Sequence, residues 1–389
     1  MNKMKIMILA LLTGTAAKAQ TPSDAVNEFA FDLYRNLKTT ESQNLVFSPF
    51  SISPAFGMVS LGANGETLNQ LNSTFHFKTG KEFHKGLGNL QREVLKSAND
   101  SVTINITNRV WIENSYRVRR KFRCNLKRTY GAKFAKADFV TNPENSRLQI
   151  NKTIEDDTHE FIKNLLPERS ISNLTRLVLT NAIYFKGKWE EPFNPKKTKE
   201  RGFFPANSNK QMHPFMNADK TFGYYKGKNF AALEMDYKGG ELSMIIVLPD
   251  ESLSLEKFEI DFNLKTYNEI VENIKPQKTL VFIPKFSIES GFTMKKTLYS
   301  MGMSIPFSDD ADFSGISGKK DLKISNAFHK AFIEVSEEGT TAAAATAVVV
   351  AMKSMPNFNV FDANRPFIYI LRHKPTNTIM FMGKLVSPK

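Results

Sequence analysis

Residues 334–354 read EVSEEGTTAAAATAVVVAMKS, and this segment places the strongest restriction on the fold of the chain. From Gly339 to Met352 it has no charged residue and no side chain larger than methionine. Either set of alternate residues could therefore be buried in a β-sheet without placing a charge in a low-dielectric interior. Ala342–Ala345 favours a helix, whereas Val348–Val350 favours a strand. This conflict indicates a segment with two native states, an exposed loop and a sheet strand. The alternative is an Ala-rich helix that leads into a buried strand.

The remainder of the chain alternates between helical and strand-like patterns. Apolar residues recur at helical spacing in Ala25–Leu37, and Ser51–Leu61 has the composition of a buried helix in which Gly57 is closely packed. Alternation or continuous apolar character predicts strands at Arg176–Phe185, Leu242–Leu248, Val281–Ile288 and Ala327–Val335. A C-terminal hairpin is predicted from Phe367–Leu371 and Ile379–Phe381, which flank the turn-forming Lys374–Asn377. The pattern predicts an α+β fold with large antiparallel sheets.

The N-terminus has the features of a secretory signal peptide at residues 1–19. A basic start and a short apolar run precede Ala17-Lys18-Ala19, which matches a small-residue cleavage site. The apolar run is too short to span a bilayer, so we expect a secreted, extracellular protein, or an exported or periplasmic one in a bacterium. No linker or repeat divides residues 20–389, which predicts one large domain.

The single cysteine, Cys124, excludes an intrachain disulfide. Phe122, Leu126 and Tyr130 form a helical apolar stripe around it, which favours a small buried role for Cys124. An exposed thiol that pairs between chains is the alternative. The formal net charge of +14 indicates anionic partners only weakly.

The sequence lacks the motifs of common enzymes. It contains no G-x-S-x-G elbow, no H-E-x-x-H and no G-x-x-x-x-G-K-[ST], and its six histidines have no metal-ligand spacing. His329 lies between apolar runs, as a hydrogen-bonded core histidine does. We therefore expect no catalytic activity, no metal and no cofactor, and no nucleic-acid or membrane partner.

Several motifs, in one order along the mature chain, resemble the serpin family. They are Phe47–Ile52, Leu61–Thr67, Thr180–Trp189, Pro284–Phe286, Ala311–Ile316, His329–Val335 and Asn364–Phe367. The resemblance implies the serpin fold, with three β-sheets, about eight or nine helices and an exposed reactive loop at about residues 337–360. The chain is expected to be a monomer.

The resemblance also assigns roles to residues. The hinge of the reactive loop would be Glu337-Glu338-Gly339-Thr340-Thr341-Ala342-Ala343-Ala344-Ala345-Thr346. Ser51, Ser53, Asn181 and His329 match the shutter, a polar cluster beneath the opening of the main sheet, and Trp189 matches the breach at its top. The reactive bond would be Lys353-Ser354, fifteen residues from Gly339 counted inclusively.

The resemblance implies a suicide-substrate mechanism. A trypsin-like serine protease would attack the Lys353 carbonyl, and the cut loop would insert into the main sheet and trap a covalent acyl-enzyme. Met352 is an alternative that would serve a chymotrypsin-like or cathepsin-like protease. A non-inhibitory carrier, chaperone or storage protein is the competing class, although such members usually interrupt the hinge with charged, bulky or proline residues. A hydrolase is a third reading.

A basic segment lies between Glu113 and Asp138, where there are nine basic residues and no acidic one. In a helix, Arg120, Arg123, Lys127 and Arg128 would lie together on or beside the exposed side. A heparin-like glycosaminoglycan is the partner that this cluster suggests. The alternative is a solvated face on a basic protein.

Overall fold

Strands form the framework of the molecule, for which the computed structural model describes residues 20–37, 43–132, 134–206, 208–340 and 359–388. The strands of these residues, numbered β1 to β15 in chain order, are Leu45–Phe47, Val102–Glu113, Phe134–Ala137, Leu177–Lys188, Lys199–Phe203, Gln211–Lys226, Phe230–Asp236, Leu242–Pro249, Lys275–Pro284, Phe286–Thr293, Asn326–Val335, Gly339–Thr340, Asn359–Asp362, Phe367–His373 and Thr378–Leu385.

The α-helices of the same residues are numbered α1 to α10. They are Pro22–Asn36, Pro49–Ser60, Gly65–Thr74, Lys81–Lys96, Arg120–Tyr130, Pro143–Asp157, Leu255–Asp261, Leu264–Asn273, Met294–Ser300 and Ser314–Ser317. Short 3-10 helices occupy Pro195–Lys197 and Ile305–Phe307. Helix α1 begins with a capping box between Thr21 and Asp24 and has proline in its first turn, which fixes its N-terminus. The described residues thus contain ten α-helices where about eight or nine were expected, and three of them are of seven residues or fewer.

One sheet has six strands, and we call it the main sheet. Its order is β10-β11-β4-β2-β3, and the two-residue strand β12 pairs with β4. Strands β10 and β11 are antiparallel, as are β2 and β4. The pair β11 and β4 in the middle is parallel, with residues 326–332 opposite 178–184. We call this parallel pair the seam.

The other sheet has nine strands in the order β1-β15-β14-β8-β7-β6-β9-β13, with β5 paired to β6. The described residues form two sheets where the resemblance implies three, because the 16-residue strand β6 belongs to two ladders. Its residues 223–226 pair with β7, while residues 215–224 pair with β9. The α+β serpin fold expected from the sequence is otherwise observed.

Helix α2 lies between the sheets and is buried along its whole length. It packs closely against α5, since a Cβ on Gly57 would lie 2.3 Å from the Tyr130 hydroxyl. This agrees with the close packing predicted at Gly57. Helix α2 therefore supports the main sheet from inside the core.

Most of the predicted strands are confirmed. Strand β8 is buried at every residue, as expected for an apolar strand covered on both faces, and β14 and β15 form the predicted C-terminal hairpin. The single strand predicted at Val281–Ile288 is wrong. The chain changes sheets at Lys285, where β9 ends in the nine-stranded sheet and β10 begins in the main sheet. Within the described part of the chain, no helix has the length and apolar character needed to cross a membrane.

His76 joins the end of α3 to α1 through two carboxylates. Its Nε2 lies 2.7 Å from Asp32 and its Nδ1 lies 3.1 Å from Glu28. The hydrogen bond to Asp32 is the largest contribution raising the pKa of His76, and it outweighs the opposing effect of burial. The neighbouring Phe75 and Phe77 are buried in the core, so this ion pair holds the turn that carries them.

We predict that His76→Gln lowers stability most near pH 6. A raised folded-state pKa means that the stabilisation is complete below the unfolded pKa of His and is lost as pH rises through the folded value. Because the site is partly exposed, the expected loss of stability near pH 6 is only about 1 kcal/mol. At pH 9 the expected loss is close to zero. Urea unfolding of both proteins across this range measures it, and a difference that grows with pH would contradict the assignment.

Candidate functional site

The seam between β4 and β11 is held together by polar side chains at its centre. Asn181 on β4 and His329 on β11 lie directly opposite each other, and the His329 ring hydrogen bonds to the Asn181 Oδ1. Asn181 Nδ2 donates to Ser51 Oγ on α2 at 2.5 Å and also to Asn108 on β2. The structure therefore brings Ser51, Asn181 and His329 into one network that crosses the seam.

The protonation state of His329 follows from its partners. The backbone N–H of Ser48 donates to His329 Nε2 at 3.2 Å, so Nε2 carries no proton. Nδ1 must then carry it and donate to Asn181 Oδ1. Complete burial lowers the pKa of His329 to about 3, which keeps the ring neutral at physiological pH. His329 is thus the buried, hydrogen-bonded histidine predicted from the sequence.

The network differs from the expected set at two positions. Ser53 is fully buried on α2, yet its Oγ has no hydrogen-bond partner among the described residues. Asn108, which sequence reasoning missed, takes part instead, and its Nδ2 donates to the Ser51 carbonyl at 3.2 Å. A signal in the sequence could have identified Asn108. In strand Val102–Glu113, alternate residues face the core, and Asn108 is a polar residue at one of these core-facing positions.

The top of the main sheet holds the start of the reactive-loop segment. Residues 336–339 form a tight turn in which the Ser336 N–H donates to the Gly339 carbonyl at 2.8 Å. The Trp189 ring donates through Nε1 to the Ser336 carbonyl at 2.9 Å, and its backbone N–H donates to the Glu338 carbonyl at 2.8 Å. Trp189 also stacks on Tyr237, with 4.4 Å between ring centroids. Trp189 therefore fixes the direction in which the segment leaves the sheet.

Gly339 and Thr340 already form strand β12, antiparallel to β4 at Lys188 and Gly187. Gly339 adopts a φ of +150°, and a Cβ there would lie 1.9 Å from the Gly187 carbonyl oxygen, so only glycine fits. Thr340 is fully buried, and its hydroxyl lies 2.9 Å from that of Tyr237. The first two strand residues of the predicted hinge thus lie beside β4, on the side of β4 that faces the seam.

Glu337 anchors the segment just before this strand. Its carboxylate pairs with Lys285 at 2.9 Å and accepts a hydrogen bond from Thr198 Oγ1 at 2.8 Å. Burial alone would raise the pKa of Glu337, but the hydrogen bonds from Lys285, the backbone and Thr198 together lower it. The carboxylate therefore stays ionised and ties the turn to the point where the chain passes from β9 to β10.

A segment after α6 lies across the seam. Phe161 stacks on Tyr184, with ring centroids 3.9 Å apart, and Tyr184 is paired with Phe332 at the last row of the seam. Lys330 on β11 donates to the Lys163 carbonyl at 2.7 Å and pairs with Glu289 at 2.8 Å. These contacts cover the seam on the face opposite α2.

Residues 359 and 360 of the predicted reactive loop belong to β13, whereas residues 341–358 lie outside the described residues. This applies to the hinge residues Thr341, Ala342, Ala343, Ala344, Ala345 and Thr346, and to Lys353, Ser354 and Met352. Residues 1–19, which the sequence predicts to be a signal peptide, lie outside them as well. Among the residues that are described, no cluster of three His, Cys, Asp or Glu side chains is arranged to hold a metal ion.

Residues 24–388 match the family model described as "Serpin (serine protease inhibitor)". The chain belongs to the serpin family. Its relatives include human Serpin B3, which is 37% identical over 94% of this chain and 99% of the relative. Leukocyte elastase inhibitor A of Rattus norvegicus is 39% identical over 94% of this chain and 99% of its own length. Human Antithrombin-III is 37% identical over 94% of this chain and 82% of its own length.

Solved serpin structures have the same fold. Uncleaved ovalbumin superposes with a TM-score of 0.86 at 28% identity and covers 95% of this chain and 100% of its own. Human thyroxine-binding globulin complexed with its hormone gives a TM-score of 0.86 at 29% identity, covering 95% of this serpin and 98% of the globulin. Both protease inhibitors and a hormone-binding protein are therefore among its relatives.

Helix α5 carries the basic segment of this serpin. The predicted stripe of Phe122, Leu126 and Tyr130 is buried, and Gly131 ends the helix in the left-handed conformation. Arg120, Arg123, Lys127 and Arg128 are all exposed, and none of the four pairs with an acidic group of the described residues. They form an uncompensated basic surface.

The burial predicted for Cys124 is wrong, because this residue is exposed on α5. The stripe has a spacing of four residues, and Cys124 lies two positions from Phe122 and Leu126. It is therefore rotated about 200° around the helix axis from each of them. Phe122 and Leu126, its apolar neighbours in the sequence, therefore lie on the opposite side of the helix.

We predict that reversing the charge at the Glu337 anchor destabilises this serpin and that a charge swap restores it. Glu337→Lys places a second cation against Lys285 in a mostly buried position, with an expected cost of about 2–3 kcal/mol. Adding Lys285→Glu should recover most of this loss. Unfolding midpoints of the two single variants and the double variant form the test. A double variant no better than Glu337→Lys would show that the pair does not couple.

Proposed function

We propose that this serpin is a suicide-substrate inhibitor of trypsin-like serine proteases. The observation that carries the proposal is the antiparallel pairing of Gly339 and Thr340 with β4, just above a seam that is parallel. Continuing this strand downward would place the loop between β4 and β11. Each seam residue would then gain an antiparallel partner, which is slightly more favourable per residue than a parallel one.

The chemistry proceeds in two stages. The protease serine adds to the Lys353 carbonyl, the Lys353–Ser354 amide bond breaks, and the amine of Ser354 takes a proton and leaves. This gives an ester between the protease and Lys353. The loop then inserts, and fifteen residues from Gly339 to Lys353 at ~3.3 Å each would carry the protease ~50 Å from its docking position. The proposed outcome is a trapped, distorted acyl-enzyme.

Insertion requires the seam contacts to open. The Asn181–His329 hydrogen bond crosses the seam and must break, and Phe161 must leave Tyr184. Both contacts are local, and neither involves a charge buried without a partner. The closed sheet would therefore be able to open once the loop is cut.

The uncharged stretch of the loop that begins at Gly339 supports inhibition over a carrier role. Thr340, the second residue of β12, is fully buried, and the residues from 341 to 351 that follow it are threonine, alanine and valine. A charged or bulky side chain at such positions would oppose burial, and this sequence has none from Gly339 to Met352. A carrier or chaperone remains the alternative that the structural relatives raise.

The inhibitor is also proposed to be exported from the cell. Residues 1–19 match a signal peptide, which would place the inhibitor and its protease outside the cell or in the periplasm. The protein would act as a monomer that forms a one-to-one covalent complex.

The first test of the function is incubation with trypsin, followed by denaturing electrophoresis and mass spectrometry. The wild type should give a covalent adduct of the two proteins, whereas a carrier would give cleavage alone. Lys353→Ala should abolish the adduct with trypsin, because the acidic trypsin pocket needs a basic residue. Met352→Ala is the matched control and should leave it intact. If Met352→Ala instead abolishes an adduct with chymotrypsin, the adjacent bond is the reactive one.

We propose, as a second function, that α5 binds a sulfated polysaccharide. Arg120, Arg123, Lys127 and Arg128 are exposed and carry no compensating ion pair among the described residues, so a polyanion could reach them without displacing a carboxylate. Binding would arise mainly from counterion release and would weaken steeply with salt.

Heparin-resin elution tests this function. Changing the four residues to alanine should lower the eluting salt concentration more than removing four exposed lysines elsewhere, such as Lys78, Lys228, Lys257 and Lys265. Equal shifts in the two variants would indicate only a solvated basic face.

A further inference from the structure

Strand β2 has a free edge along part of its length. On one side β4 pairs with residues 102–112 of β2. On the other side β3 pairs only with residues 110–113. Within the described ranges, the backbone of residues 106–109 pairs with β4 alone. No described residue hydrogen bonds to the outward N–H and C=O groups of this stretch, and such edge groups can pair with another strand.

A cavity of about 410 Å³ lies along this edge. Ile106, Thr107, Asn108 and Arg109 all line it. Because consecutive side chains of a strand point to opposite faces, a cavity that reaches all four must run beside the strand edge. Another wall comes from Gln91 of α4 and from Gly131 and Ala132, which directly follow α5. Its volume lies within the range of small-ligand sites, roughly 300–1,000 Å³.

The two sides of the cavity differ in polarity. On the core side it is lined by Met58 and Tyr130, which are apolar along most of their length. On the other side Asp157 accepts hydrogen bonds from Arg109 at 2.6 Å and from Thr107 at 2.8 Å. Since Arg109 and Asp157 neutralise each other, this side favours polar groups without a net charge.

We infer that the free edge of β2 binds a short, uncharged peptide in extended conformation. About three residues, at ~3.3 Å each, would cover the stretch from Ile106 to Arg109. The main chain of the peptide pairs with the edge, which supplies affinity. Its central residue is apolar and faces Met58 and Tyr130, and the flanking polar residues face Thr107 and Asp157.

A peptide at this edge is coupled to the seam through Asn108. This residue lines the cavity and also accepts a hydrogen bond from Asn181. Insertion would separate β4 from β11, and the contact between Asn181 and Asn108 would transmit a shift of β4 to β2. A peptide that ties β2 to Gln91 and Ala132 would therefore bind the closed sheet better than the opened one. By linkage it slows loop insertion, a consequence that rests on the proposed inhibition.

Hydrogen exchange with mass spectrometry tests the site without a protease. The probe is acetyl-Thr-Val-Thr-amide, and its analogue with N-methylated amides is the matched control. At ten times the Kd of the probe, the outward amides of residues 106–109 should exchange about tenfold more slowly, because protection follows 1 + [L]/Kd. The methylated analogue, which lacks the donors, should give no protection.

Ala132→Trp fills the cavity and should remove the protection, and Gln91→Trp serves if the first variant fails to fold. No protection by the probe at millimolar concentration, or equal protection by the methylated analogue, overturns the site. For the coupling, the saturated protein is mixed with trypsin, and more cleaved inhibitor relative to adduct is expected. An unchanged ratio overturns the coupling alone, whereas a wild type that gives no adduct without the peptide contradicts the proposed function instead.

Discussion

The parallel register between β4 and β11 is the constraint on which the other features of this serpin depend. Seven rows of this ladder, from Val178–Asn326 to Tyr184–Phe332, lie in the middle of the main sheet between antiparallel neighbours. A parallel pair in this position can be separated by one antiparallel strand without changing the direction of either partner. The sheet is thus complete as it stands, and its strand directions are compatible with the insertion proposed for the loop.

Side chains hold the seam closed at three positions along its length. Glu337 and Trp189 act above it, the Phe161–Tyr184 stack covers its last row, and Asn181 with His329 crosses its middle. Neutral His329 also joins this row to the start of α2, because its unprotonated Nε2 accepts from the Ser48 N–H, and a protonated ring would lose that acceptor. Burial lowers its pKa to about 3, so this contact persists over the physiological pH range.

The sequence allowed the α+β fold, the C-terminal hairpin and the fully buried β8 to be predicted, because each depends on local periodicity. It did not allow the passage of the chain from one sheet to the other at Lys285 to be predicted, since residues 281–284 and 286–288 on either side are mostly apolar and resemble one strand. Cys124 was misplaced because the apolar stripe beside it leaves the intervening helix positions on the outer face. Asn108 was missed because its role depends on α2 and β4, which are distant in sequence.

The position of β12 indicates the order in which the sheet would open. Its two residues already pair with Gly187 and Lys188, and the seam begins only at Tyr184, so Phe185 and Lys186 separate them. An entering strand would first extend along these two residues, where no parallel ladder has to break. The Tyr184–Phe332 row and its Phe161 cover come next, and the Asn181–His329 row follows three residues further down. Because each added residue gains its own ladder bonds before the next row is separated, no step has to break the whole seam at once. Under the proposed inhibition, the closed sheet would therefore be stable before the loop is cut and would open progressively afterwards.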